Sequence, residues 1–103
     1  MLGFQSLIRA EEGNSGGVEP GWGIIGTHVR PTAARRGVGR ALFEVSRAAA
    51  ANAGLQTIDA TIAANNPEAL AYYEAMGFRP YRSLGNLIGT RFDILNGHLE
   101  HRP

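Results

Sequence analysis

The stretch THVRPTAARRGVGRALF (residues 27–43) decides how the chain is read. A strand ends at Pro31, because proline offers no ladder donor and pushes Arg30 towards extended geometry. A helix begins a few residues later. Between them, Gly37 and Gly39 let backbone amides approach a ligand without Cβ hindrance, at the positive end of a helix whose first N–H groups have no partner of their own. That combination suits a phosphate or pyrophosphate. Arg30, Arg35, Arg36 and Arg40 fall within eleven positions and make a local anion site, although the same residues also serve simply to solvate a loop and a helix start. The dinucleotide fingerprint is not met. Leu42 stands where a third small residue is required, and about seven residues separate the strand end from Gly37, too many for that tight turn.

Working outward, Gly23 to Val29 (GIIGTHV) is the strand that leads into this loop. From Leu2 to Ile8, Leu2, Phe4 and Ile8 alternate with Gly3, Gln5 and Leu7, closer to a strand than to anything else this short, and the glycine-rich segment Glu11–Gly21 joins the two strands as a flexible hairpin loop on the surface. After the loop, Val38, Ala41, Leu42, Val45 and Ala49 form an apolar helical stripe, with Arg40, Glu44 and Arg47 outward and Gly54 closing the helix. Gln56–Ala63 alternates Ile58, Ala60 and Ile62 against Thr57, Asp59 and Thr61, the pattern of a strand with one buried face. Asn66 then caps a second helix, Pro67 suits its first position, Glu68 favours the positive dipole end and Gly77 ends it, placing Leu70, Tyr73 and Met76 on one side. Phe78–Leu84 and Leu87–Leu95 read as two strands joined at Gly85-Asn86, followed by a fraying tail. The order β-β-α-β-α-β-β is an α/β fold with a mixed sheet.

The 103 residues, 44% hydrophobic and 18% charged, fit one domain over residues 1–103. With no cysteine the chain has no disulfide, thiolate nucleophile or cysteine metal site, which is compatible with a reducing compartment. No apolar run approaches the roughly 20 residues of a membrane span, and the first residues lack the basic region of a signal peptide. A soluble cytoplasmic protein that does not engage membranes is expected. All ten basic residues are arginine, yet the net charge is only +1. Nucleic-acid binding by phosphate neutralisation needs a more basic balance, so it is not expected.

Two motifs together resemble a known family. The run THVRPTAARRGVGRALF resembles the acetyl-CoA signature of the GCN5-related N-acetyltransferases (GNAT), Q/R-x-x-G-x-G/A after a strand ending in V-x-P. Downstream, NNPEALAYYEAMGF resembles the N-x-x-A-x-x-x-Y-x-x-x-G-F element of the same family, with Asn66, Ala69, Tyr73, Gly77 and Phe78 in register. The resemblance runs from about residue 2 to 95. It implies a GNAT-like acyl-CoA N-acyltransferase core in which two strands splay apart around the thioester. It further implies that Thr27, His28 and Val29 pair their backbone with the pantetheine arm, that amides of Arg35, Arg36, Gly37, Val38, Gly39 and Arg40 bind the pyrophosphate, and that Asn66 contacts the cofactor. Tyr73 takes the place of the general acid beside the departing sulfur. Full proton transfer from a phenol near pKa 10 to a thiolate whose acid is near 8.5 is uphill by about 2 kcal/mol, so hydrogen-bond stabilisation of the thiolate is at least as good a description. No metal is required.

The sequence also departs from the pattern. Ala34 replaces the signature's glutamine or arginine, which removes a side chain but no amide. Thr61 stands where some relatives carry a glutamate base, leaving Asp59 and His28 as nearby substitutes, each equally explained as structural. Outside its motif, Tyr73 is explained as a core aromatic and Asn66 as a cap. Tyr72 points about 100° away from Tyr73, towards solvent or a substrate channel. Trp22 is an acceptor-site or interface aromatic, or packs. The strand and two helices that relatives place before the first strand here are not seen, as in a short or N-terminally truncated member. The expected activity is acetyl transfer from acetyl-CoA to a small-molecule or peptide amine by direct attack, or alternatively non-catalytic CoA binding by a degenerate acetyltransferase. The uncovered sheet makes a homodimer the expected assembly.

Overall fold

The structure is a computed structural model that describes residues 3–29 and 37–94. Arg30, Pro31, Ala34, Arg35 and Arg36 of the anion loop lie outside the described residues, as do Leu2, Leu95 and the tail. The elements follow the expected order: β1 (Gly3–Arg9), β2 (Gly23–Val29), α1 (Val38–Asn52), β3 (Thr57–Ala63), α2 (Pro67–Met76), β4 (Arg79–Leu84) and β5 (Leu87–Asp93). They form a five-stranded sheet in the order β1-β2-β3-β5-β4, antiparallel except where β2 runs parallel to β3. Parallel neighbours need a crossover, and α1 supplies it.

Local punctuation explains the boundaries. The Asn66 side chain accepts the Ala69 N–H at 3.2 Å and Pro67 opens α2. Gly77 closes that helix at φ +109°, with Phe92 so near its Cα that a Cβ would sit 3.0 Å from the ring. In the β1–β2 loop, Asn14 accepts from the Val18 N–H and donates to the carbonyls of Glu11 and Val18. Val18 is thereby buried. The segment is the expected surface hairpin loop between antiparallel strands, and it is internally bonded around one side chain.

One core lies between the helices and one face of the sheet: Ile25, Phe43, Ala50, Leu55, Ile58, Ala60, Ile62, Tyr73 and Phe78, with Leu70, Met76 and Phe92 against it. The expected inward face of α1 and several strand bounds are corrected. The buried residues of α1 are Gly39, Phe43 and Ala50, and Val45 is 71% exposed, so the inward face is turned one residue from the expected stripe. It is turned because Gly39 and Ser46, neither of them apolar, make specific contacts described below. β3 has the buried face expected of it, Ile58, Ala60 and Ile62, and more. Thr57 and Asp59 are buried along with them, because β3 is flanked by strands on both sides, Tyr81 and Arg82 of β4 reach Asp59, and Thr57 bonds to Asp93 of β5. The strand starts at Thr57 rather than Gln56, β4 starts at Arg79 rather than Phe78, and β1 reaches Arg9.

Candidate active site

The site begins with a failure of pairing. β2 and β3 are in register only at Gly23↔Ile58 and Ile24↔Asp59, after which they diverge. From Ile25 onward the β3-facing edge of β2 is therefore open, and Thr27 and His28 lie on that open stretch. A cavity of about 530 Å³ occupies the helix side, lined by residues that include Thr27, Gly39, Asn66, Glu68, Tyr72 and Tyr73. The structure thus gathers Thr27, Gly39, Asn66 and Tyr73, four of the residues singled out in the sequence, around one space.

Above it sits the start of α1. Gly37 is at φ +76°, the left-handed region that favours glycine, and nothing lies within 4 Å of where its Cβ would be. The first turn carries no acidic side chain, and the first turn's N–H groups at Val38, Gly39 and Arg40 precede the helix's i→i−4 ladder. Open space, amides with no backbone partner among the described residues and the positive dipole end fit a pyrophosphate. Gly39 has a second reason to be glycine: a Cβ there would lie 2.7 Å from Cε1 of Tyr72.

Tyr72 is accordingly not a solvent-facing residue. Its hydroxyl donates to the Gly39 carbonyl at 2.6 Å and accepts from Gln5 Nε2 at 2.8 Å, tying α2 to α1 and β1 while its ring borders the cavity. Gln5 Nε2 also donates to Thr27 Oγ1 at 3.1 Å, and Gln5 Oε1 accepts from Ser46 at 2.6 Å. Thr27 Oγ1 lies 2.8 Å from the Tyr73 hydroxyl, and the Tyr72 and Tyr73 rings meet edge to face at 5.0 Å. Burial pushes the Tyr72 phenol up to about 12, with help from neighbouring Tyr73 and against the pull of Gln5, Thr27 and Arg40. Burial also raises Tyr73, while its hydrogen bond with Thr27 acts in the opposite direction. Both phenols hold their protons at neutral pH.

Asp59 and His28 lie on the other face of the sheet. His28 is exposed and stacks on Phe4 with centroids 4.8 Å apart. Asp59 is fully buried, accepting from Thr61 at 2.8 Å and from the Tyr81 hydroxyl, with Arg82 Nη2 at 3.6 Å. A register shift between Pro80 and Arg82 makes this possible, since a bulge at Tyr81 turns both Tyr81 and Arg82 to the Asp59 side. Burial and the adjacent carboxylate push the Tyr81 phenol up to about 12. Trp22 belongs to the same cluster, packed against Tyr81 at 5.6 Å with the Arg91 guanidinium 4.8 Å from its ring. Gln5 and Ser46 were missed by the sequence reading. The face of β1 that turns inward is the one with Gln5 and Leu7, whereas Phe4 and Ile8 of the expected apolar set are exposed, and a polar residue on the inward face needs partners.

A sequence model of the acetyltransferase (GNAT) family matches residues 2–78. The chain belongs to the GNAT acetyltransferase family. No curated protein matches the sequence. Among solved structures, one classed as a GNAT acetyltransferase from Desulfovibrio desulfuricans superposes with a TM-score of 0.78 at 19% identity, covering 91% of this chain and 62% of that one. One classed as an acetyltransferase from Salmonella typhimurium, which holds acetyl-CoA, gives 0.71 at 17% identity, covering 90% and 58%. An N-acetyltransferase from Thermoplasma acidophilum in complex with coenzyme A gives 0.69 at 12%, covering 74% and 48%. At these identities the likeness is one of fold, and this GNAT chain spans roughly half to three fifths of their lengths. Among the described residues no cluster of three or more His, Asp or Glu side chains is placed to hold a metal.

Proposed function

We propose that the protein transfers an acetyl group from acetyl-CoA to an amine by direct attack on the thioester. The observation that carries the reading is the divergence of β2 from β3 beside a cavity bordered by Tyr73, at the open amino end of α1. In this reading Gly37, Val38, Gly39 and Arg40, with Arg35 and Arg36 of the loop, hold the pyrophosphate. The free edge of β2 at Thr27, His28 and Val29 pairs with the pantetheine arm, and Asn66 contacts it at the start of α2. The thioester lies in the gap between the strands and the Tyr73 hydroxyl donates to the departing sulfur. The acceptor, a small-molecule or peptide amine, approaches from the opposite face of the sheet and loses its proton to water.

One observation favours a second reading, a CoA-binding module without turnover. The Asp59 carboxylate is already engaged by Thr61, Tyr81 and Arg82, and Thr61 occupies the position of the glutamate seen in some relatives, so no spare carboxylate faces the gap from β3. Calorimetry with acetyl-CoA followed by thiol release over an amine panel separates the two. Transfer predicts binding and turnover, with Tyr73→Phe keeping affinity and losing rate. Binding without thiol release from any amine favours the module, and no binding removes both.

We further propose a cytoplasmic homodimer. Phe4 and Ile8 are 48% and 61% exposed on the sheet face opposite the two described helices, and β1 is an edge strand among the described residues. Light scattering over a concentration series tests the assembly, with a monodisperse 11.0 kDa species refuting it, and cell fractionation tests the location.

A further inference from the structure

The polar chain beneath the cavity has a direction that can be worked out from chemistry alone. The Gly39 carbonyl only accepts, so the single Tyr72 hydroxyl proton goes to it. Tyr72 oxygen must then accept whatever Gln5 presents at 2.8 Å, which fixes the amide nitrogen on that side. The second N–H of the same nitrogen points at Thr27 Oγ1, 3.1 Å away, while the amide oxygen is held from behind by the Ser46 hydroxyl at 2.6 Å. Flipping Gln5 would set its oxygen against a phenol with no proton left to give. Thr27 Oγ1 therefore accepts from Gln5 and is not required to donate to it. Its own proton is not committed to Gln5, and the Tyr73 oxygen stands 2.8 Å away, whereas the Tyr72 oxygen, which Thr27 also influences, already accepts from Gln5.

We infer that Gln5 and Thr27 are positioning residues for Tyr73: the network rooted at the Gly39 carbonyl reserves the Thr27 hydroxyl proton for the Tyr73 oxygen as that oxygen gives up its own proton. The inference rests on the reading of Tyr73 as the donor to the leaving sulfur. In that step the Tyr73 O–H proton moves towards the thiolate of CoA, negative charge develops on the phenolic oxygen, and the Thr27 O–H turns to it while staying bonded to Thr27. No other group is consumed. A hydrogen bond to a charged oxygen is about twice as strong as one to a neutral one, so the Thr27 contact favours the deprotonated form of Tyr73 over the protonated form. The opposing influences of burial and Thr27 on Tyr73 have the sign this requires. Other ionisable groups around the phenol are Tyr72 on the same helix, Glu68 on the cavity wall and Arg40 facing Tyr72 from α1, whereas His28 on β2 faces the opposite side.

The direction is tested without cofactor or acceptor. Protein labelled with 3-fluorotyrosine, whose phenols are more acidic and titrate where the fold holds, is followed by fluorine NMR against pH, with Tyr→Phe variants assigning the signals. Thr27→Val is expected to raise the Tyr73 midpoint by about one unit, the size of a lost charge-assisted hydrogen bond. Thr27→Ser keeps the wild-type midpoint, and Gln5→Leu raises it because the Thr27 rotor is no longer held. Thr27→Ala gives the same reading should the valine variant fold poorly. An unchanged or lowered Tyr73 midpoint in Thr27→Val would overturn the inference, since it would mean Thr27 serves Tyr73 only as an acceptor. Turnover then addresses the underlying reading separately: kcat falls in Thr27→Val with the KM for acetyl-CoA held, and serine restores it. A shifted midpoint with unaltered kcat would leave the network in place and remove Tyr73 from the reaction.

Discussion

Replacing Gly39 by alanine probes the contact that joins the two helices over the cavity. In an isolated helix the change should help, by about 0.5–1 kcal/mol, because alanine loses less backbone entropy. Here the new Cβ meets Tyr72 Cε1 at 2.7 Å and Cζ at 3.3 Å. The ring has two ways to respond. It can stay and strain the packing, at a cost of about 1–3 kcal/mol. It can also swing away and give up its bonds to the Gly39 carbonyl and Gln5, each worth about 1 kcal/mol. Either way the cost exceeds the helix gain, leaving a net destabilisation of about 1 kcal/mol and a Tm lower by roughly 4–8 °C for a domain this small. Urea unfolding of the wild type, Gly39→Ala, Tyr72→Ala and the double variant forms a cycle that isolates the contact. Without the Tyr72 ring, Gly39→Ala should become neutral or stabilising. If Gly39→Ala stabilises the protein while Tyr72 is intact, the ring does not sit on Gly39 and the packing described for the two helices is wrong.

Two further outcomes follow from the same geometry. Gly37→Glu should weaken acetyl-CoA binding at least tenfold in calorimetry, whereas Gly37→Ala, which meets open space but the same positive-φ strain, should lose stability without comparable loss of affinity. Stability should fall between pH 10 and 12. Tyr72 and Tyr81 are each pushed up to about 12 in the fold, so the folded state keeps protons in this window that the unfolded chain has already released near 10. Stability from these phenols is complete below pH 10 and is lost as pH rises through 12. Chemical denaturation at a pH series checks this, and a flat profile would contradict the burial of the two rings.

What could be read from the sequence was whatever is written locally. Asn66-Pro67, Gly54 and Gly77 act on their own turn of backbone, and their elements ended where expected. The inward face of α1 was misjudged because it was chosen for apolarity. Gly39 is inward for lack of a side chain and Ser46 for a hydrogen bond to β1, and neither reason is visible before β1 and α2 are placed. The partners of Asp59 were not legible for a related reason. The bulge that delivers Tyr81 and Arg82 to it depends on the pairing of β4 with β5, which no local pattern announces. At the site, Tyr73, Asn66 and the two glycines stood out through motif spacing, and the structure brings Tyr73, Asn66 and Gly39 to one cavity. Gln5, 67 residues away from Tyr72 in the chain, did not stand out, because a lone glutamine on a strand acquires meaning only from the partners it reaches.

The most direct measurement is the titration of isotopically labelled protein with acetyl-CoA, followed residue by residue through its backbone amide resonances. The account predicts the largest changes at Gly37–Arg40, along Thr27–Val29 and at Asn66 and Tyr73, with little change at Asp59, Tyr81 and Arg82 on the far face. Saturable changes concentrated on the Asp59 face, or none at millimolar acetyl-CoA, would contradict it.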